Sequence, residues 1–244
     1  MATENRVALV TGGSRRVGAS IVRKLAEEGF DVAFTYFASD DEAQRMADEA
    51  RSLGRRAEIL QVDLAQSAMA VDSITGWINV AFGRLDVLVN NASIYAPGGL
   101  FDADMERLRQ MWAIHVESPL LLCRRLASLL RENRGHVVNM LDLMVERPVP
   151  AYMAYGTSKA GLWNLTLSLA RELAPEVTVN GIAPGVVEWP EDTPAQEREH
   201  YLKRVPLKRS GTPRDVANAV AFLCQSDSYL TGQVIRLDGG RSIT

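Results

Sequence analysis

Seven short apolar runs, separated by longer amphipathic stretches, constrain this chain more than any other feature of it. The runs lie at 6–11, 31–36, 57–63, 85–91, 136–141, 177–183 and 233–239. They are rich in Val and Ile and mostly lack polar–apolar alternation, the mark of strands covered on both faces. Between them, helical periodicity predicts segments at 17–29, 40–53, 66–81, 105–132, 152–174 and 213–225. Gly29 and Gly54 stand where two of these helices should stop. Thr212-Pro213 supplies an N-cap and an N1 proline for the last. Regular strand–helix alternation predicts an α/β chain with a doubly wound parallel sheet of about seven strands and helices on both faces. The whole of 1–244 reads as one Rossmann-type domain. The stretch 184–205, with three prolines and a cluster of acids, breaks the rhythm. Such an insertion is an active-site lid, expected at about 188–203, or a disordered loop.

Composition removes several function classes. A net charge of −3 argues against a nucleic-acid or anionic-membrane partner. No run approaches the ~20 apolar residues of a membrane span, and the N-terminus lacks a cationic start followed by a long apolar stretch. Cys123 and Cys224 sit in apolar helix-like runs and read as core residues in a reducing compartment, so a cytoplasmic address is expected. The three histidines are scattered without metal-ligand spacing, and no metal is expected.

The first strand runs into Thr11-Gly12-Gly13-Ser14-Arg15-Arg16-Val17-Gly18, and a helix follows. A glycine turn between a parallel strand and a helix N-terminus offers free N–H groups and a partial positive charge to a phosphate. Gly12 and Gly13 permit the turn, and Gly18 lets helix and strand approach. NAD-selective folds carry an acid at the end of the second strand for the ribose 2′-hydroxyl. Here that place reads Thr35-Tyr36-Phe37-Ala38-Ser39. With Arg15 and Arg16 nearby and the Ser39 hydroxyl, NADPH is favoured over NADH. Asp40 or Asp41 is expected as a helix N-cap. Asp63 ends the third strand.

Tyr155 and Lys159 stand four apart near the start of the helix at 152–174, on one face. A phenol with an ordinary pKa near 10 is a poor proton donor at neutral pH, and a nearby ammonium is expected to lower it.

The glycine turn, Asn90-Asn91-Ala92, Tyr155-x-x-x-Lys159 and Pro184-Gly185, in this order and spacing, resemble the short-chain dehydrogenase/reductase family over essentially the whole chain. The resemblance implies that Tyr155 is the general acid, and that Lys159 binds the nicotinamide ribose and tunes it. It implies cofactor contacts at Gly12, Ser14, Arg15, Arg16, Val17, Tyr36, Ser39, Asp63, Leu64, Asn91, Ala92, Ser93, Lys159, Pro184, Gly185 and Val187. Asp63 would hold the adenine amino group; alternatively it caps the helix at 66–81. Family members pair the apolar helices 105–132 and 152–174 across two-fold axes, which implies a homotetramer.

Three departures point to a substrate. The middle glycine of the family's turn is Arg16, which must project toward cofactor or substrate. The family's serine, 13 residues before the tyrosine, is Asp142; an ionised carboxylate cannot donate to a substrate carbonyl. It suits a substrate with N–H donors, or a relay that re-protonates Tyr155. The family's helix-borne asparagine aligns with His115, which extends a proton relay or packs as a hydrogen-bonded core histidine. These departures, with Asn91-Ala92-Ser93-Ile94-Tyr95, the run Asp142 to Glu146, LAPEVTVNGIAPG and 204–207, resemble the pteridine and dihydromonapterin reductases. That branch implies an aromatic at Tyr95 that sandwiches a pterin; alternatively Tyr95 anchors its loop. It implies a pterin held by Arg16, Ser93, Tyr95, Asp142 and Tyr155, and reduced at a ring C=N bond. The competing expectations are a reductase of ketones, quinones or 3-oxoacyl thioesters, and a non-catalytic nucleotide sensor, against which an intact Tyr155/Lys159 pair speaks.

Overall fold

The computed structural model describes residues 5–189, 193–226 and 228–244. The seven apolar runs form seven parallel strands: β1 (Val7–Val10), β2 (Asp31–Tyr36), β3 (Ala57–Gln61), β4 (Val87–Asn90), β5 (His136–Met140), β6 (Thr178–Pro184) and β7 (Val234–Leu237). Their order is β3-β2-β1-β4-β5-β6-β7. The strand order reverses between β1 and β4, and ligands of open α/β sheets bind outside the carboxyl ends of the strands at such a point.

Both faces of the sheet are covered, which is why its strands carry no polar alternation. Ala8 and Val10 of β1 and Val87 and Val89 of β4 face one core, with Ile21, Val22 and Leu25 of α1 (Arg16–Glu27) and Val216 and Val220 of α8 (Pro213–Leu223). α2 (Asp40–Ser52) joins that layer through Ala43 and Met46. Val7, Leu9 and Leu88 face the other core, with Ile74 and Ile78 of α3 (Ser67–Ala81) and Leu122, Leu126 and Leu130 of α5 (Ser118–Glu132). α6 (Met153–Glu172) closes that side through Leu169.

Local signals set the helix ends. Gly29 and Gly54 have φ of +90° and +76°, and each follows its helix with the paired backbone bonds of a Schellman stop (Phe30 N–H to Leu25 O, Arg55 N–H to Ala50 O). Thr212 and Asp215 cap α8 reciprocally. At α2 the expected cap shifts by one. Ser39 occupies the N-cap position without a side-chain cap bond, and Asp40, Asp41 and Glu42 fill the first turn, where carboxylates complement the helix dipole.

Two expectations change. The helix expected over 105–132 is α4 (Met105–Trp112), a widened π turn (Ala113–Glu117) and α5. Pro119 is the cause: it has no N–H to give the His115 carbonyl, and its ring would strike that carbonyl in an α-helix. The break at 184–205 contains a further helix, α7 (Ala195–Lys203). Its good helix formers were hidden between prolines. Residues 190–192 of the expected lid lie outside the described residues. No helix among the described residues is long and apolar enough to cross a membrane.

Candidate active site

The carboxyl ends of β1, β4, β5 and β6 meet in one crevice. At β1, Gly12 has φ +66°, and a Cβ on Gly18 would fall 1.9 Å from the Gly12 carbonyl oxygen. Only glycine lets α1 sit this close to its own turn. Arg16, where the family's turn carries its middle glycine, has a left-handed backbone with φ +53°, a conformation that favours glycine. Its guanidinium points toward the expected lid, where Nε donates to Glu188 Oε2 at 2.6 Å. The first turn of α1 has no side-chain cap at Arg15 and no acid, so its N–H groups suit an anion. Ser14 is buried, Val17 half-buried and Arg15 exposed.

Asn91 braces this turn. Its Nδ2 donates to the carbonyls of Thr11 (2.9 Å) and Gly12 (3.0 Å). The Thr11 hydroxyl accepts from the N–H groups of Asn91 and Ala92, both at 3.0 Å. After β3, Asp63 Oδ1 accepts from the Ala65 N–H at 2.9 Å, and the Leu64 carbonyl accepts from Ser118 Oγ. Ser39 is buried beside the first turn of α2, and the Tyr36 phenol is pushed up by burial and by Asp40. At β6, the Gly185 N–H donates to the Leu237 carbonyl (3.0 Å), which holds the Pro184-Gly185 turn to the end of β7, and Val187 is half-buried two residues on.

The two first turns of α6 place Tyr155 and Lys159 under the end of β5, both buried. Tyr155 Oη donates to Asp142 Oδ2 at 2.9 Å. Asp142 Oδ1 accepts from the Met144 N–H at 2.8 Å, which fixes the carboxylate. Lys159 Nζ donates to the Met140 carbonyl at 2.8 Å and lies 5.8 Å from the Tyr155 ring centre. The electrostatics reverse one expectation. Burial, and then Asp142, push the Tyr155 phenol well above its ordinary pKa. The ammonium does not overcome a carboxylate in direct contact. Burial also lowers Lys159 to about 8, against the pull of Asp142. Burial raises the Asp142 carboxyl, despite its bonds to Met144 and Tyr155.

Tyr95 closes the open side. It stacks on Tyr152 (centroids 4.6 Å, 14°) and meets the edge of Tyr155 at 4.9 Å. Ser93, beside it, binds His115 Nε2 at 2.9 Å. Glu146, grouped with Asp142 by sequence, pairs instead with Arg236 of β7. Sequence reasoning did not single out Tyr152, Glu188, Trp189 or Tyr201. Tyr201 of α7 accepts from the Val186 N–H at 3.1 Å and meets Trp189 edge-on at 5.3 Å, which ties the expected lid to the end of β6. The spacing of Tyr152 and Tyr155, three apart at a helix start, was the one available signal.

Residues 12–242 match the family model described as Enoyl-(Acyl carrier protein) reductase. A double mutant of a Serratia marcescens short-chain dehydrogenase/reductase superposes with a TM-score of 0.91 at 33% identity, over 97% of this chain and 98% of that one. The chain is a short-chain dehydrogenase/reductase. Among curated relatives of this reductase, a 3-oxoacyl-[acyl-carrier-protein] reductase of Staphylococcus epidermidis is 34% identical over 97% of this chain and 98% of its own. Pteridine reductase 1 of Leishmania tarentolae is also 34% identical, over 98% of this chain and 96% of its own. A blue fluorescent protein from a metagenomic library, solved in complex with NADPH, superposes with a TM-score of 0.90 at 34% identity, over 97% of both chains.

Proposed function

We propose that this reductase transfers hydride from NADPH to a ring C=N bond of a pterin, converting a dihydropterin to the tetrahydro form. The observation that carries the reading is the bond from Tyr155 to the buried carboxylate of Asp142. In a carbonyl reductase that place offers a hydroxyl donor to the substrate oxygen; a carboxylate there offers a proton store and an acceptor.

Bound NADPH would supply the hydride. The uncapped start of α1 and the glycine turn suit its pyrophosphate, with Ser14, Arg15 and Val17 around it. Ser39 and Arg15 suit a 2′-phosphate, Asp63 and Leu64 the adenine, and Lys159 the nicotinamide ribose. Asn91 and Ala92 hold the turn in register for it, and the Pro184–Val187 segment suits the carboxamide. Tyr155 protonates the ring nitrogen next to the carbon that receives hydride, and Asp142 re-protonates Tyr155. Tyr95, Ser93 and Arg16 line the side where a flat heterocycle would lie, and Glu188, bonded to Arg16, brings the start of the expected lid to it. The half-exposed Leu120 of α5 and Leu167 of α6 support helix pairing into a homotetramer, measurable by light scattering. Two free, buried cysteines support a cytoplasmic setting.

The similarity to 3-oxoacyl thioester reductases keeps one alternative in view, reduction of a carbonyl. Purified protein with NADPH is mixed in turn with dihydrobiopterin, dihydromonapterin, dihydrofolate and a 3-oxoacyl thioester, and NADPH absorbance is followed. Turnover of a dihydropterin, abolished by Tyr155→Phe, supports the reading. Turnover of the thioester alone overturns it.

A further inference from the structure

His115 is almost wholly buried at the centre of the π turn that Pro119 imposes, and both of its ring nitrogens are engaged. Nε2 receives two contacts, from the Ser93 hydroxyl (2.9 Å) and from the backbone N–H of Ile94 (3.3 Å). Nδ1 meets the Ser158 hydroxyl at 2.8 Å. A backbone N–H can only donate, so Nε2 must be an unprotonated acceptor and the ring proton sits on Nδ1. Ser158 accepts that proton, because its own goes to the Tyr155 carbonyl at 2.7 Å. The Ser93 hydroxyl must then spend its single proton on Nε2. Burial and the neighbouring Lys159 hold the imidazole neutral, so the pattern does not reverse by protonation.

We infer that His115 is a positioning residue that turns the Ser93 hydroxyl into a fixed hydrogen-bond acceptor at the mouth of the site, selecting substrates that present an N–H or amino edge there. Ser93 is exposed, one residue before Ile94 and two before Tyr95, and its hydroxyl also lies within reach of the Tyr155 phenol, so its remaining lone pairs face the reacting end of the crevice. A carbonyl oxygen brought to that point meets lone pairs and is disfavoured. A ring N–H or exocyclic amine donates to Ser93 and heads the chain of donors that runs through Ser93 and His115 to Ser158. The same proton order excludes His115 as a source of protons for Tyr155: Nε2 carries none to pass through Ser93. The choice of a pterin edge as the ligand rests on the function proposed above, whereas the orientation of the hydroxyl does not.

The test has two arms. Ring 15N spectra of the histidine-labelled wild-type protein, with the His115 signals identified by their loss in His115→Leu, report the tautomer directly. A neutral Nδ1–H ring supports the inference, and an Nε2–H ring or an imidazolium overturns it. In the second arm, Ser93→Ala, His115→Leu and the double variant are assayed with a dihydropterin. Each single change should raise KM about 10-fold, the loss of one hydrogen bond, with kcat within about 2-fold. The double variant should be no worse than either single one, because both remove the same interaction. Ser93→Thr should restore KM. Additive losses, or a loss confined to kcat, overturn the inference; if His115→Leu does not fold, the exposed Ser93→Ala and its rescue by Ser93→Thr decide. Absence of any pterin turnover by the wild-type protein would sink the proposed function instead, and the spectra would still decide the hydroxyl's orientation.

Discussion

Replacing Asp142 by Asn should remove the acid-side pH dependence of turnover. The Tyr155 oxygen lies 2.9 Å from the carboxylate. Were both ionised, two charges roughly 4 Å apart would repel by about 4 kcal/mol at an effective dielectric near 20, or about 3 pKa units. Tyr155 therefore cannot give its proton to substrate cheaply while Asp142 is charged, since phenolate would face carboxylate. When Asp142 is protonated, its proton moves to Tyr155 as the tyrosine proton leaves, and the pair ends as phenol and carboxylate. The carboxyl pKa is raised by burial, so the group keeps its proton to higher pH than an ordinary aspartate and loses it as pH rises through the shifted value. The wild-type rate should thus climb as pH falls toward that value and then level. An amide cannot carry the transferable proton. Asp142→Asn should flatten this limb and lower kcat at mildly acidic pH about 10²-fold, within the usual range for general acid–base catalysis. At the same time the Tyr155 phenol, freed of the like charge, should titrate lower. NADPH absorbance at saturating dihydropterin across the pH range, beside an ultraviolet titration of the phenol, measures both. An unchanged acid limb with wild-type kcat in Asp142→Asn would refute the relay.

Arg16→Gly removes a left-handed backbone cost of about 1 kcal/mol and an exposed ion pair to Glu188 worth at most about 1 kcal/mol. The melting temperature should move by no more than about 4 °C, while KM for a pterin rises; a large loss of stability with unchanged KM would count against a substrate role. Pro119→Ala restores the missing backbone donor and should let the π turn close. Stability by calorimetry should hold or rise, while His115 leaves Ser93 and pterin KM increases; unchanged kinetics would show that the turn does not position the histidine. Above pH 8 a second fall in rate is expected in the wild type, because Lys159, lowered to about 8 by burial, loses its proton as pH rises through that value. In Asp142→Asn that fall should begin earlier, since the carboxylate that supports the ammonium is gone; a fall that stays put would argue against the coupling.

Sequence alone determined the seven strands, most of the helices and the order of the candidate site residues, because these rest on local rules. Runs such as Val7–Val10 are apolar on both faces of a period-2 strand, and Gly29, Gly54 and Thr212-Pro213 write their stops and starts in single residues. Tyr155 and Lys159 share a face by helical spacing alone. Even the π turn was marked by Pro119, although periodicity carried the expected helix across it. What only the tertiary structure decided is electrostatic and pairwise. The phenol's pKa depends on whether a carboxylate 13 residues away or an ammonium four residues away comes nearer, and burial amplifies the answer. The partners Arg16 and Glu188 are far apart in the chain, as are Glu146 and Arg236, or Ser93 and Ser158 around His115. Such pairings cost loop closure and pay no heed to local pattern, so no window of sequence contains them. The proton order through His115, and with it the character of Ser93, exists only once those three segments share one crevice.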